Sequence, residues 1–290
     1  MRSIGKALCS AFLVLIGCGT ATLPVYAQAK DSAKPEANAP ASRSLSDQQV
    51  RGASTVLLRD IRGEQMGSGV IVAEVEGGYW IATNRHVVQD QQLYCVTAGG
   101  QSSPAVVLTA GRSTAQADED LALLWLPSTK SAVLLVADQA GPLEPTEQLP
   151  LVVATGFPTP LKPPANGPEY LENSGLLLPL LKQPLQGGFA LAYTSVVEKG
   201  MSGGGVFQGQ TLIGINGAHA NPLWPGQWKD QRNKPVSMRL NRKLEQVSLG
   251  IPLQTIKLRL KAAVAPKTLQ QLDTEICQKN RGKSAETQQF

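Results

Sequence analysis

Ser68-Gly69-Val70-Ile71-Val72-Ala73-Glu74, followed closely by Tyr79-Trp80-Ile81-Ala82, is the stretch on which the fold is decided. Both runs are short and rich in β-branched and aromatic residues, and a brief polar and glycine-containing gap separates them. That pattern fits consecutive strands paired as a hairpin rather than one long helix. The same texture extends in both directions. Thr55 to Arg59 precedes these runs, and Leu93 to Thr97, Ala105 to Thr109 and Leu121 to Leu126 follow, giving six strands, enough to close a small barrel. A second series begins near Ala132 and comprises Leu151 to Thr155, Phe189 to Thr194, Gly205 to Gln208, Leu212 to Asn216 and Val247 to Leu253. The expectation is an all-β domain over 49–263, with one half at about 49–130 and the other at about 131–253.

The flanks read differently. Arg2 and Lys6 precede an apolar run from Ala7 to Ile16, too short to span a bilayer and shaped like an export signal. Two processing sites are readable. Small residues at Val25, Ala27 and Ala29 suit cleavage that leaves 1–27 as signal peptide. Leu15-Ile16-Gly17-Cys18 resembles a lipobox, in which 1–17 is removed and Cys18 is lipidated. Residues 28–48, rich in Ala, Ser, Pro and Lys, have almost no large apolar side chains and read as a flexible leader. The tail, 264–290, reads as partly helical: Leu253 to Leu260 and Leu269 to Cys277 each carry a helical pattern, with Pro266 between them. Between Pro158 and Gly187 lies a Pro- and Leu-rich insertion that reads as a long loop.

Charge is unevenly placed: residues 199–290 hold 14 of the 27 basic groups and 5 of the 22 acidic ones. Lys229, Arg232, Lys234, Arg239, Arg242 and Lys243 read as a solvated loop, with an anionic membrane surface or an acidic partner as the alternatives. No nucleic-acid motif accompanies them. Two histidines and no C-x-x-C pair leave no zinc site to read. Cys95 and Cys277 are the ordinary thiols of the exported chain. They form a pair that an oxidising compartment invites into a disulfide, or else two unrelated buried thiols.

Chemistry concentrates at Gly200-Met201-Ser202-Gly203-Gly204. Glycines allow a tight turn that presents a hydroxyl, and the N–H groups of Gly200 and Ser202 can converge as an oxyanion hole. A serine hydroxyl needs a base, and His86, just past the Tyr79–Ala82 run, is better placed than His219. An orienting acid belongs beside that base. Asp118, Glu119 and Asp120 all precede the apolar run Leu121-Ala122-Leu123-Leu124, and Asp120 directly abuts it. The glycine turn also fits the G-x-S-x-G elbow of α/β-hydrolases, but there the acid and the histidine must follow the serine. Here no acid lies between Ser202 and His219.

Thr83-Asn84-Arg85-His86-Val87-Val88, Asp120-Leu121-Ala122-Leu123-Leu124, Thr155-Gly156-Phe157-Pro158, the Gly200–Gly204 turn and Leu212-Ile213-Gly214-Ile215-Asn216 together resemble the ordered landmarks of trypsin-like (chymotrypsin-like) peptidases, closest in style to the Deg/HtrA branch. The resemblance implies a pair of six-stranded antiparallel β-barrels with a short helical C-terminal segment, and no metal or organic cofactor. It also implies hydrolysis of polypeptides through an acyl-enzyme by Ser202, His86 and Asp120. By the same resemblance Thr194, Val196, Val197, Asn216, Gly217, Ala218 and His219 would bound the primary pocket, which lacks a carboxylate and so suits a small or medium aliphatic side chain. Only 37 residues follow Leu253, too few for the PDZ module of that branch. The alternative to an enzyme is a trypsin-like scaffold that binds without catalysing.

Overall fold

The computed structural model describes residues 45–88, 92–108, 119–127, 135–139, 148–159, 167–219, 226–265 and 275–279. The signal segment, Cys18 and Asp118 lie outside the described residues, as do 160–166 of the insertion.

The first described element is a helix, α1 (Asp47–Ser54), where the sequence suggests the end of a leader and the start of strands. Its cause is local. Ser46 Oγ accepts the N–H of Gln49, and the Gln49 side chain accepts the N–H of Ser46, a reciprocal capping box. Arg51 on this helix forks onto both carboxylate oxygens of Glu172 at 3.0 and 2.8 Å and donates to the Gly209 carbonyl at 2.7 Å. The helix is thereby held to distant parts of the chain.

Six strands then close a barrel: β1 (Thr55–Arg59), β2 (Gln65–Val75), β3 (Gly78–Thr83), β4 (Leu93–Ala98), β5 (Gln101–Leu108) and β6 (Ala122–Pro127), in the order β1-β2-β3-β6-β5-β4, with β4 returning to β1. Alternation sorts their side chains. Val56, Leu58, Ile71, Tyr79, Ile81, Tyr94, Val96, Leu124 and Leu126 form one buried cluster. Their neighbours Val70, Val72, Trp80, Ala82, Leu123 and Trp125 join a second cluster shared with the other half of the domain, where the Trp80 and Trp125 rings meet edge to face at 5.1 Å. Burial of both faces explains why these strands read as nearly continuous apolar runs.

The second half contains β7 (Asp138–Gln139), β8 (Leu151–Gly156), β9 (Leu171–Leu176), β10 (Leu191–Tyr193), β11 (Gly205–Gln208), β12 (Thr211–Ala218) and β13 (Ser248–Pro252). They form a curled sheet ordered β10-β13-β12-β11-β8-β9, with β7 paired parallel to β12. Where the sequence implies a second closed barrel, the two edges meet through only a short contact. Leu177 bridges Tyr193, and the Leu178 and Thr194 N–H groups donate to the Ala192 and Leu176 carbonyls at 2.8 and 3.0 Å. The architecture is thus one closed six-stranded barrel and one curled sheet, consistent with the chymotrypsin-like double barrel.

The expected insertion loop is corrected in part: β9 falls within it and pairs with β8 along its whole length. Its residues, Leu-Glu-Asn-Ser-Gly-Leu, are half-buried or exposed, so backbone pairing holds the strand without an apolar alternation that a sequence could display. The basic stretch is also more ordered than a loop. Ser237 Oγ caps α2 (Met238–Leu244) by accepting the Leu240 N–H, and Arg239, Arg242 and Lys243 stand exposed on that helix. A third helix, α3 (Leu253–Ala262), follows β13 as expected, burying Leu253 and Ile256. Then α4 (Glu275–Lys279) carries Cys277, disulfide-bonded to Cys95 on β4 with a Cα–Cα distance of 5.5 Å.

The bond spans a sequence separation of 182 residues. Removing a long-range cross-link enlarges the unfolded ensemble, so Cys277→Ser should lower the unfolding free energy by about 2–4 kcal/mol in urea titrations. In the native protein, alkylation without reductant should modify neither Cys95 nor Cys277. Labelling of both would contradict the pairing.

Candidate active site

The pairing of β3 with β6 builds the first part of the site. Their register ends at Thr83 opposite Ala122, so the residues that leave β3 stand beside those that enter β6. Asn84 leads into a 3-10 turn, Arg85–Val87, and Asp120 lies across from it. Five hydrogen bonds fix Asp120. Its N–H donates to the Gly187 carbonyl at 2.9 Å, and its own carbonyl accepts from Arg85 N–H at 3.1 Å and Asn84 Nδ2 at 3.0 Å. Its carboxylate takes the remaining two, from His86 N–H on Oδ1 at 2.9 Å and His86 Nδ1 on Oδ2 at 2.7 Å.

An ionised carboxylate can only accept, so His86 Nδ1 carries a proton, and in the neutral imidazole the lone pair is then on Nε2. The His86 side chain is 47% exposed and that of Asp120 16%, which places the imidazole at the surface and its partner behind it. Glu119, one residue earlier, faces elsewhere and pairs with Arg259 of α3 at 2.9 Å. The backbone register, not the acidity of the cluster, separates these two acids.

Ser202 is brought to the same place by Ser68 on β2. The Ser68 N–H donates to the Ser202 carbonyl at 2.9 Å and its hydroxyl to the Gly200 carbonyl at 2.8 Å, while accepting the Phe157 N–H at 2.9 Å. Thr83 Oγ1 in turn donates to the Ser68 carbonyl at 2.7 Å. Ser68 is fully buried and belongs to an otherwise apolar run, the one signal by which the sequence could have flagged it.

The loop geometry requires glycine at two positions. Gly200 has φ +95° and Gly203 φ +83°, and a Cβ on Gly203 would lie 2.2 Å from Thr83 Oγ1. In the peptide between Lys199 and Gly200, the Lys199 carbonyl accepts the Thr159 N–H at 2.7 Å. Carbonyl and N–H point in opposite directions across a trans peptide, so the Gly200 N–H faces away from Thr159. Among the described residues neither that N–H nor the N–H of Ser202 donates to a protein group, and Ser202 Oγ makes no hydrogen bond, to His86 included.

The residues expected around a pocket divide. Thr194 is exposed and its hydroxyl accepts the Leu176 N–H at 2.9 Å. Val196 is 60% exposed, and Ala218 and His219 are half-buried. Gly217 lies against the ring of Phe189, a neighbour that the sequence did not suggest. Two of the expected pocket residues have interior side chains. Val197 packs with Val152, Leu191 and Met201, and Asn216 is fully buried with its amide engaged by protein groups. Among the described residues no group of three His, Cys, Asp or Glu side chains could hold a metal ion.

A family model described as a trypsin-like peptidase domain matches residues 67–215, which include His86, Asp120 and Ser202. No curated protein matches the chain.

The hydrogen-bond pattern predicts a downfield Nδ1–H proton resonance for His86 in NMR spectra. The signal should vanish in Asp120→Ala and persist in Asp118→Ala and Glu119→Ala. Its loss in either of the latter variants would assign the partner acid differently.

Proposed function

We propose, from the premise that the chain belongs to the trypsin-like peptidase family, that it is an exported serine endopeptidase acting through Ser202, His86 and Asp120. The observation that carries this reading is the two-point attachment of His86 to Asp120 beside a glycine turn in which the N–H groups of Gly200 and Ser202 have no protein partner among the described residues. With Nδ1 committed to Asp120, His86 Nε2 is the base that takes the Ser202 proton as Oγ attacks the substrate carbonyl. Asp120 stabilises the resulting imidazolium. The Gly200 and Ser202 N–H groups receive the oxyanion, an interaction whose loss costs about 10²–10³ in kcat per donor. His86 then passes the proton to the leaving amine, and water, deprotonated by the same nitrogen, hydrolyses the ester between Ser202 and the acyl group.

Substrates on this reading are polypeptides, as for the family. None of Thr194, Val196, Val197, Asn216, Gly217, Ala218 and His219 carries a carboxylate to pair with a Lys or Arg side chain, which favours a small or medium aliphatic residue before the scissile bond. His219 is assigned to the rim, and the likeness to the Deg/HtrA branch stays a matter of motif style.

Purified mature protein should label with a fluorophosphonate and cleave an unfolded protein, and Ser202→Ala should do neither. Asp120→Asn, which preserves shape but not the tautomer, should lower kcat by about 10⁴. A folded wild type that neither labels nor cleaves would favour the non-catalytic scaffold.

Export follows from the apolar segment Ala7 to Ile16, and attachment to a membrane would come from a lipidated Cys18 or from the exposed basic residues of α2. Mass spectrometry of the mature N-terminus separates the processing routes. Cleavage after Ala27 gives a free Gln28, whereas the lipoprotein route gives a diacylated or triacylated Cys18.

A further inference from the structure

We infer that Asn216 is a positioning residue whose side-chain amide aims the Ser202 N–H into the site by holding the Met201 carbonyl on the opposite side of their shared peptide. This rests on the reading of Ser202 N–H as an oxyanion donor.

The argument begins with the peptide plane between Met201 and Ser202. The Met201 carbonyl accepts two hydrogen bonds, from Asn216 Nδ2 at 3.2 Å and from Gly204 N–H at 3.0 Å. Its partner across the trans peptide, the Ser202 N–H, therefore points the other way. The two donors to Met201 differ in kind. Gly204 belongs to the same turn. Asn216 is fixed to the second sheet: it lies on β12, and Nδ2 also donates to the Thr155 carbonyl of β8 at 2.8 Å. The Asn216 side chain refers the orientation of the peptide directly to the frame of the sheet, whereas Gly204 does so only through the turn that the Asn216 main chain holds.

The amide itself cannot turn over. Asn216 Oδ1 accepts the Tyr193 hydroxyl at 2.8 Å, and a flip would set Oδ1 against the Thr155 and Met201 carbonyls, two acceptors with no proton to offer it. Burial pushes the Tyr193 phenol far above its ordinary range, which keeps that hydroxyl protonated. The Asn216 main chain grips the loop as well, accepting the Gly203 N–H at 3.0 Å and donating to the Gly204 carbonyl at 2.8 Å. Those bonds survive substitution of the side chain, so the loop keeps an anchor while the orienting group is removed.

Asn216→Ala should lower kcat by about 10²–10³, the effect of misplacing one oxyanion donor, with KM within about threefold of wild type. Tyr193→Phe, which leaves the amide present but no longer oriented by the hydroxyl, should lower kcat about fivefold, the equivalent of one ordinary hydrogen bond. If Asn216→Ala does not fold, the Tyr193→Phe kinetics decide. A folded Asn216→Ala or Tyr193→Phe with wild-type kcat, or with the whole loss in KM, overturns the inference. A crystal structure of the variant reads the same point without activity. The Met201–Ser202 peptide should be rotated from its wild-type plane, and an unchanged plane overturns the inference. Should the wild type hydrolyse nothing, the proposed function falls while the peptide plane still decides the role of Asn216.

Discussion

Ser68 joins the parts on which this site depends. It stands on β2 of the closed barrel, yet its hydroxyl and main chain reach Phe157 just past the end of β8 and both Gly200 and Ser202 on the glycine turn. Apolar packing between the two halves is extensive but non-directional, and by itself it would tolerate small displacements. Hydrogen bonds at defined angles do not, particularly when buried, where each group left unpaired costs about 1–3 kcal/mol. The shared cluster around Trp80, Trp125, Phe207 and Ile251 supplies the cohesion. Ser68 sets the register.

His86 and Asp120 depend on a different constraint, the ladder between β3 and β6. Once Thr83 opposes Ala122, the chain has little freedom in where Asn84 to His86 meet Asp120, and the Asn84 amide and Arg85 N–H close on the Asp120 carbonyl. From the far side, Gly187 holds the Asp120 N–H and Arg259 of α3 holds Glu119. A helix that follows the last strand thus braces the segment carrying Asp120, and the second half of the molecule supports residues placed on the first.

Much of this was legible in the sequence. Strands buried on both faces are written as apolar runs, and the six strands of the barrel emerged within a few residues of their observed limits. His86 and Ser202 were visible because each stands just beyond such a run or within a glycine turn. What escaped was held by backbone rather than side-chain pattern. Strand β9 has no apolar alternation, and α1 is announced only by the Ser46–Gln49 capping box.

Amino-acid order by itself determined the succession of strands, the residue types able to perform acyl transfer, and the sequence His86, Asp120, Ser202 that separates this chain from the hydrolase-elbow families. Tertiary structure alone showed which neighbouring carboxylate faces the histidine, because both are acids ahead of β6 and only the fold turns Asp120 to His86 and Glu119 to Arg259 of α3. It likewise turned the Asn216 side chain inward, where the resemblance to trypsin-like peptidases implied a pocket boundary. The reason is the same in both cases. Hydrophobic periodicity and turn propensity are properties of neighbouring residues, whereas the partner of a polar group is chosen among donors and acceptors far away in the chain.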